Sequence, residues 1–137
     1  MADMDRGDFS LPSFPLCIVA VDLGETTGVA IYDLHARTLK CSSTDEPSHL
    51  FPTLEIIKPS VLILERFPEN RNLSFEIALV YGSLLEQYTS VLVSPGEWKP
   101  VMKTRKFNHS MAKNQHERDA IDMIRYYIFS QWGEELE

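Results

Sequence analysis

The stretch Cys17 to Asp33, CIVAVDLGETTGVAIYD, decides the fold. Its first half is an apolar run with Ile18, Val19 and Val21, and it ends in a carboxylate, Asp22. Apolar character at every position, with no alternation, predicts a strand covered on both faces and therefore central in its sheet. The link Gly24-Glu25-Thr26-Thr27-Gly28 leads into a second apolar run through Val29, Ala30 and Ile31, so the pair reads as a β-hairpin. The glycines permit a tight turn and the close approach of a ligand or another strand. A carboxylate at the end of a buried strand is unfavourable unless something pairs with it. Asp22 therefore reads either as a capped strand end or as one wall of a metal or phosphate site.

Working outward, Thr38 to Ser43 reads as an edge strand. Leu50, Leu54 and Ile57 recur at helical spacing within Thr44 to Pro59, behind the start signal Asp45-Glu46-Pro47. Ser60-Val61-Leu62-Ile63-Leu64-Glu65 is a second buried strand, and it too finishes in an acid. A helix between two such strands lets them run parallel, which would set Asp22 beside Glu65. From Asn72 to Tyr88 a long helix is expected with two apolar stripes: Leu73, Ile77, Val80, Leu84 and Tyr88, then Phe75, Ala78, Gly82 and Leu85. A one-sided surface helix needs one stripe. The second is covered within the monomer or meets another subunit. Val91 to Val93 is a short fifth strand closed by Ser94-Pro95-Gly96, and Trp98 is read as a packing anchor. The last helix runs from about Asn114 to Trp132, with Ile121, Ile124 and Ile128 facing the core.

The order is three strands, helix, strand, helix, strand, helix, an α/β layer architecture with a mixed five-stranded sheet flanked by helices. Site chemistry is expected where the strand order reverses. Residues 1–14 read as a flexible arm, 15–132 as a single domain and 133–137 as an acidic tail.

At 137 residues the chain is large enough for a real core. It has no apolar run of membrane-spanning length, and its start, MADMDRGDF, is unlike a secretory signal, so a cytoplasmic protein is expected. Cys17 and Cys41 lack metal-site spacing and read as reduced core residues rather than zinc ligands. A net charge of -7 argues against a protein that simply coats nucleic acid. Between Glu97 and Lys113, however, five basic side chains (Lys99, Lys103, Arg105, Lys106 and Lys113) face one acid, which marks a local anion contact or a solvated loop.

The last helix opens Gln115-His116-Glu117-Arg118-Asp119-Ala120-Ile121-Asp122. His116 and Asp119, three apart, project from one face of its first turns. An acid there is also favoured by the helix dipole. Alongside Asp22 and Glu65, three carboxylates and an imidazole in one cleft repel each other unless cations sit among them. Hard oxygen donors suit Mg²⁺ or Mn²⁺ better than zinc, and two such ions could serve phosphodiester hydrolysis.

The hairpin motif Asp22-x-Gly24-x-x-x-Gly28, the strand-ending Glu65 and the helix-opening His116-x-x-Asp119-Ala120 resemble the RuvC family of Holliday-junction resolvases, within the RNase H-like superfold. Arg71-Asn72-Leu73 through Tyr81-Gly82 is similar to the helix after that family's catalytic glutamate. The short form, with HERDA and a Trp-Lys near the fifth strand, looks most like phage-type members. The resemblance covers about residues 16–130. It implies a homodimer, joined here through the 72–88 helix, and Mg²⁺-dependent endonuclease activity with paired nicks across branched DNA. Its metal-site positions fall on Asp22, Glu65, His116 and Asp119, with Asp122 in reserve. Phosphate contacts would then fall to Arg66, Arg71, Lys99, Lys103, Arg105, Lys106 and Lys113. Phe67 lies closer to Glu65 than the family's wedge aromatic does to its glutamate, and reads as a core or lid residue. Other readings are a nuclease acting on RNA–DNA hybrid or precursor ribosomal RNA, and a non-catalytic binding module on the same fold. DLGETTG also resembles the phosphate loop of actin-like and sugar-kinase ATPases, which use two such domains.

Overall fold

The computed structural model describes residues 17–67, 72–105 and 108–133. The expected arm at 1–14 and most of the acidic tail lie outside them. Strands β1 (Cys17–Asp22), β2 (Thr27–Asp33), β3 (Thr38–Thr44), β4 (Val61–Glu65) and β5 (Ser90–Val93) form one sheet in the order β3-β2-β1-β4-β5. The β1–β2 and β2–β3 pairs are antiparallel, while β1–β4 and β4–β5 are parallel. The unalternating apolar run does occupy the middle of the sheet, and its neighbour across the parallel pair is the other acid-ending strand.

Helices cover both faces. A 3-10 turn at Pro47–His49 leads into α1 (Leu50–Ile57), and α2 (Phe75–Gln87) follows β4. Leu50 and Leu54 of α1 and Ile77, Val80 and Leu84 of α2 form one core with Val19, Val21, Leu62 and Leu64. On the opposite face α3 (Pro95–Lys103) and α4 (Gln115–Trp132) share a second core with Ile18, Ala20, Ala30 and Ile63. Strand side chains alternate between faces, so Asp22 and Glu65 inherit the orientation of Ala20 and Ile63. Both acids therefore point to the α3–α4 side.

Helix α3 corrects the sequence reading, which ended β5 at Ser94-Pro95-Gly96 and left no helix between β5 and the last one. Those residues start a helix instead. Pro95 occupies the first turn, and the Glu97 carboxylate accepts from the Ser94 backbone N–H at 2.8 Å, closing a capping box. Pro100 lies inside the helix, where it cannot donate to the Gly96 carbonyl, and Trp98 and Met102 are the helix's buried residues. Trp98 thus anchors packing, as expected.

The first stripe of α2 is buried, whereas the second lies open in the single chain. Phe75 is 80% exposed and Leu79 54%, with Leu85 and, on α1, Ile56 also exposed. Among the described residues no helix is long and apolar enough to cross a membrane.

Candidate active site

The last paired residues of β1 and β4 are Val21 and Leu64, so Asp22 and Glu65 follow side by side at the C-terminal ends of two parallel strands. On the other side of β1, Asp22 pairs with Gly28. There the start of α4 comes down on the sheet. A Cβ at position 28 would overlap the backbone carbonyl of His116 and the amide nitrogen of Glu117. The close approach that Gly28 permits is therefore that of a helix terminus. It brings His116 over Asp22, whose Oδ2 accepts from the imidazole Nδ1–H at 3.0 Å. With Nδ1 protonated, a neutral ring carries its lone pair on Nε2.

Asp119, one turn further along α4, accepts from Gln115 Nε2 at 2.7 Å. Glu65 Oε2 accepts from the indole N–H of Trp98 at 3.2 Å. Burial pushes the Asp22 carboxyl up from its ordinary 3.8 to about 6; the charges of Asp119 and Glu65 add to this, and the His116 hydrogen bond opposes it. The other three sequence-derived residues thus act on Asp22, His116 through its hydrogen bond and Glu65 and Asp119 through their charge. As the side chains stand, no three His, Cys, Asp or Glu groups among the described residues converge at metal-ligating distance. Glu65 is turned toward Trp98 and Asp119 toward Gln115. The donor set and its unneutralised charge nevertheless fit a hard divalent cation.

Asp122 belongs to a different arrangement. Its Oδ1 accepts from His109 Nε2 at 2.7 Å and lies 3.5 Å from Nη1 of the buried Arg125, which also donates through Nη2 to the Asn108 carbonyl at 2.8 Å. This network ties the segment before α4 to the helix and engages Asp122.

Glu117 is the residue that sequence reasoning passed over. It is fully buried, and its carboxylate accepts from Ser43 Oγ (2.6 Å), Lys113 N (3.1 Å) and Cys41 Sγ (3.2 Å). Burial alone would raise this carboxyl, but the bonds from Ser43, Lys113 and Cys41, with the Lys113 charge, hold it below the ordinary range. Asn114 completes the join. Its Oδ1 caps Glu117 N at 2.9 Å, and its Nδ2 donates to Ser43 Oγ at 3.0 Å. The start of α4 is therefore fastened to β3 on one side and seated on Gly28 on the other.

Beside the acids, a groove of about 500 Å³ runs between α3 and α4. Lys99, Lys103, Arg105 and Arg118 line it, together with Asp119. Arg118 had not been singled out in the sequence. Arg105 also stacks on Phe129, its guanidinium carbon 4.3 Å from the ring centroid. Arg66 is exposed just past β4 and Lys113 is exposed before α4, whereas Arg71 and Lys106 lie outside the described residues. Phe67 packs edge-on against Tyr81 at 4.9 Å between centroids, half-buried against the α2-side core.

No protein-family model and no curated protein matches this sequence. Solved structures do match in fold. Thermus thermophilus RuvC in complex with a Holliday junction substrate superposes with a TM-score of 0.60 at 11% identity, over 88% of this chain and 98% of that one. A second Thermus thermophilus RuvC structure gives 0.58 at 11% identity, covering 88% and 99%. The fowlpox virus Holliday junction resolvase gives 0.52 at 17% identity, covering 84% and 99%. The fold is thus the RuvC-like form of the RNase H-like architecture, matched over nearly the whole length of each neighbour.

Proposed function

We propose that this chain is a divalent-metal-dependent endonuclease that resolves four-way or otherwise branched DNA junctions. One observation carries the reading. On a fold whose solved neighbours are Holliday junction resolvases, two parallel strands end in adjacent acids, and a helix start seated on Gly28 presses His116 onto the first of them.

Asp22, Glu65, His116 and Asp119 would hold the ions. Two Mg²⁺ or Mn²⁺ ions at such a site supply an activated water and stabilisation of the leaving oxygen. The chain's own residues orient the rest. Asp22 fixes the His116 tautomer through Nδ1 and so directs Nε2 outward. Lys99, Lys103 and Arg118 line the groove where a strand's phosphates would pass, and Arg66 offers a further cation at the end of β4. Asp122 is left out of the ligand set, because His109 and Arg125 already engage it.

Paired nicks need two sites, and the open stripe of α2 supports a homodimer joined through that helix. Cys17 and Cys41 are both free thiols, which fits a reducing cytoplasm.

The test is cleavage of a four-way junction, a linear duplex, an RNA–DNA hybrid and single-stranded RNA, each with Mg²⁺ or Mn²⁺. Preferential cutting of the junction is expected, abolished in Asp22→Asn while junction binding persists. Preference for the hybrid would overturn the substrate assignment and keep the metal chemistry. Normal cutting by Asp22→Asn would overturn both.

A further inference from the structure

We propose that Trp98 is a positioning residue for Glu65: its indole N–H holds one carboxylate oxygen, leaves the other to the acidic cluster, and makes the indole a reporter of divalent-ion binding there. The inference rests on the metal-dependent reading above.

The strand pairing that places Glu65 also places Trp98. Glu65 pairs with Val93 at the end of β5, and Arg66 N donates to the Val93 carbonyl at 2.7 Å. Ser94 follows at once as the cap of α3, and Trp98 lies in that helix's first turns. Backbone bonds to β5 thus fix the strand end around Glu65, and what remains loose is its side chain. Trp98 is only 2% exposed and belongs to the same core as Ile63, Met102 and Ile121, so its ring has no room to swing. An indole nitrogen can only donate, and a buried donor left without an acceptor is unfavourable. Glu65 Oε2, at 3.2 Å, is the acceptor it has. A carboxylate offers about four acceptor sites, so this bond uses one and leaves Oε1 available. Fixed donors behind metal ligands orient the ligand, and losing one typically weakens metal binding about 10- to 100-fold. The next residue, Lys99, lines the groove, so one helical turn ties its cationic rim to the acid.

The chain has two tryptophans, so Trp132→Phe leaves Trp98 as the sole indole. In that parent, Mn²⁺ is titrated with binding read by calorimetry and by Trp98 emission, and both are expected to saturate together. Adding Trp98→Phe should weaken Mn²⁺ binding about tenfold and raise the Mg²⁺ needed for half-maximal cleavage by a similar factor, with a smaller loss in the saturated rate. A purely structural role would lower the melting temperature and the rate without moving the metal affinity. Should Trp98→Phe fail to fold, 3-benzothienylalanine at position 98 removes the N–H while keeping the shape. Affinity unchanged within about twofold in the folded variant overturns the proposal. So does emission that ignores a binding event seen by calorimetry. No Mn²⁺ binding in the parent itself would instead sink the metal reading, and this inference with it.

Discussion

Replacing Asp22 by Asn should make the metal-free protein more stable while removing its activity. Asp22 sits 16% exposed at a strand end, and burial with the charges of Asp119 and Glu65 raises its carboxyl from 3.8 to about 6. The folded chain thus binds this proton more tightly than the unfolded chain. The resulting stabilisation is complete below pH 3.8 and is lost as pH rises through about 6. A displacement of about two pH units, at about 1.4 kcal/mol each, corresponds to ~3 kcal/mol. Asn removes the titration and keeps an acceptor for His116 Nδ1. In EDTA, urea denaturation across this range should therefore show the variant gaining on wild type, from near parity in acid to ~3 kcal/mol above neutrality. Added Mg²⁺ should narrow the gap by stabilising wild type alone. A difference that stays flat with pH, or a variant less stable than wild type at neutral pH, would refute the account of Asp22 as an unneutralised buried charge.

Gly28→Ala should cost ~2 kcal/mol by overpacking and abolish cleavage in a chain that still folds, because the added methyl displaces the start of α4 and His116 with it; thermal melts beside junction assays check this. Glu117→Ala leaves the half-buried Ser43, Lys113 and Cys41 donors without their acceptor and should cost ~3 kcal/mol in denaturant titrations. The Glu117 carboxyl is held low, so its contribution is present above its ordinary 4.5 and fades as pH falls below that value. The Glu117→Gln variant should lack that acid-side loss in the same titrations. Phe75→Ser with Leu79→Ser should convert a dimer to a monomer in light scattering at micromolar concentration, with little effect on the melt of the isolated subunit; a monomeric wild type would remove the dimer proposal.

What could be read without coordinates was what depends on local pattern. The continuous apolar run before Asp22 announced a central strand, and the repeat of that pattern before Glu65 announced its parallel neighbour. That His116 and Asp119 share a face follows from helical spacing alone. Choosing between Asp119 with His116 and Asp119 with Asp122 did not, since all three share a face. In the structure His109 and Arg125, from the preceding segment and the next turn, engage Asp122, while His116 meets Asp22. Helix α3 was legible and was misread: Ser94-x-x-Glu97 with Pro95 is a helix start, but Pro95-Gly96 read as a stop. Glu117 had no local signal. In the first turn of a helix an acid looks like a favourable partner for the dipole, and only contact with Ser43 and Cys41, more than seventy residues away, buries it.

Because α4 supplies both His116 and Asp119 and covers β1 and β2, it is the last part of the proposed cluster to leave the ribosome. A nascent chain that has reached β5 carries Asp22 and Glu65, yet it lacks half of the polar cluster. The docking that hides Ala20, Ala30 and Ile63 is also the docking that completes the cluster. Completion of the polar cluster and closure of this core therefore arrive in one event.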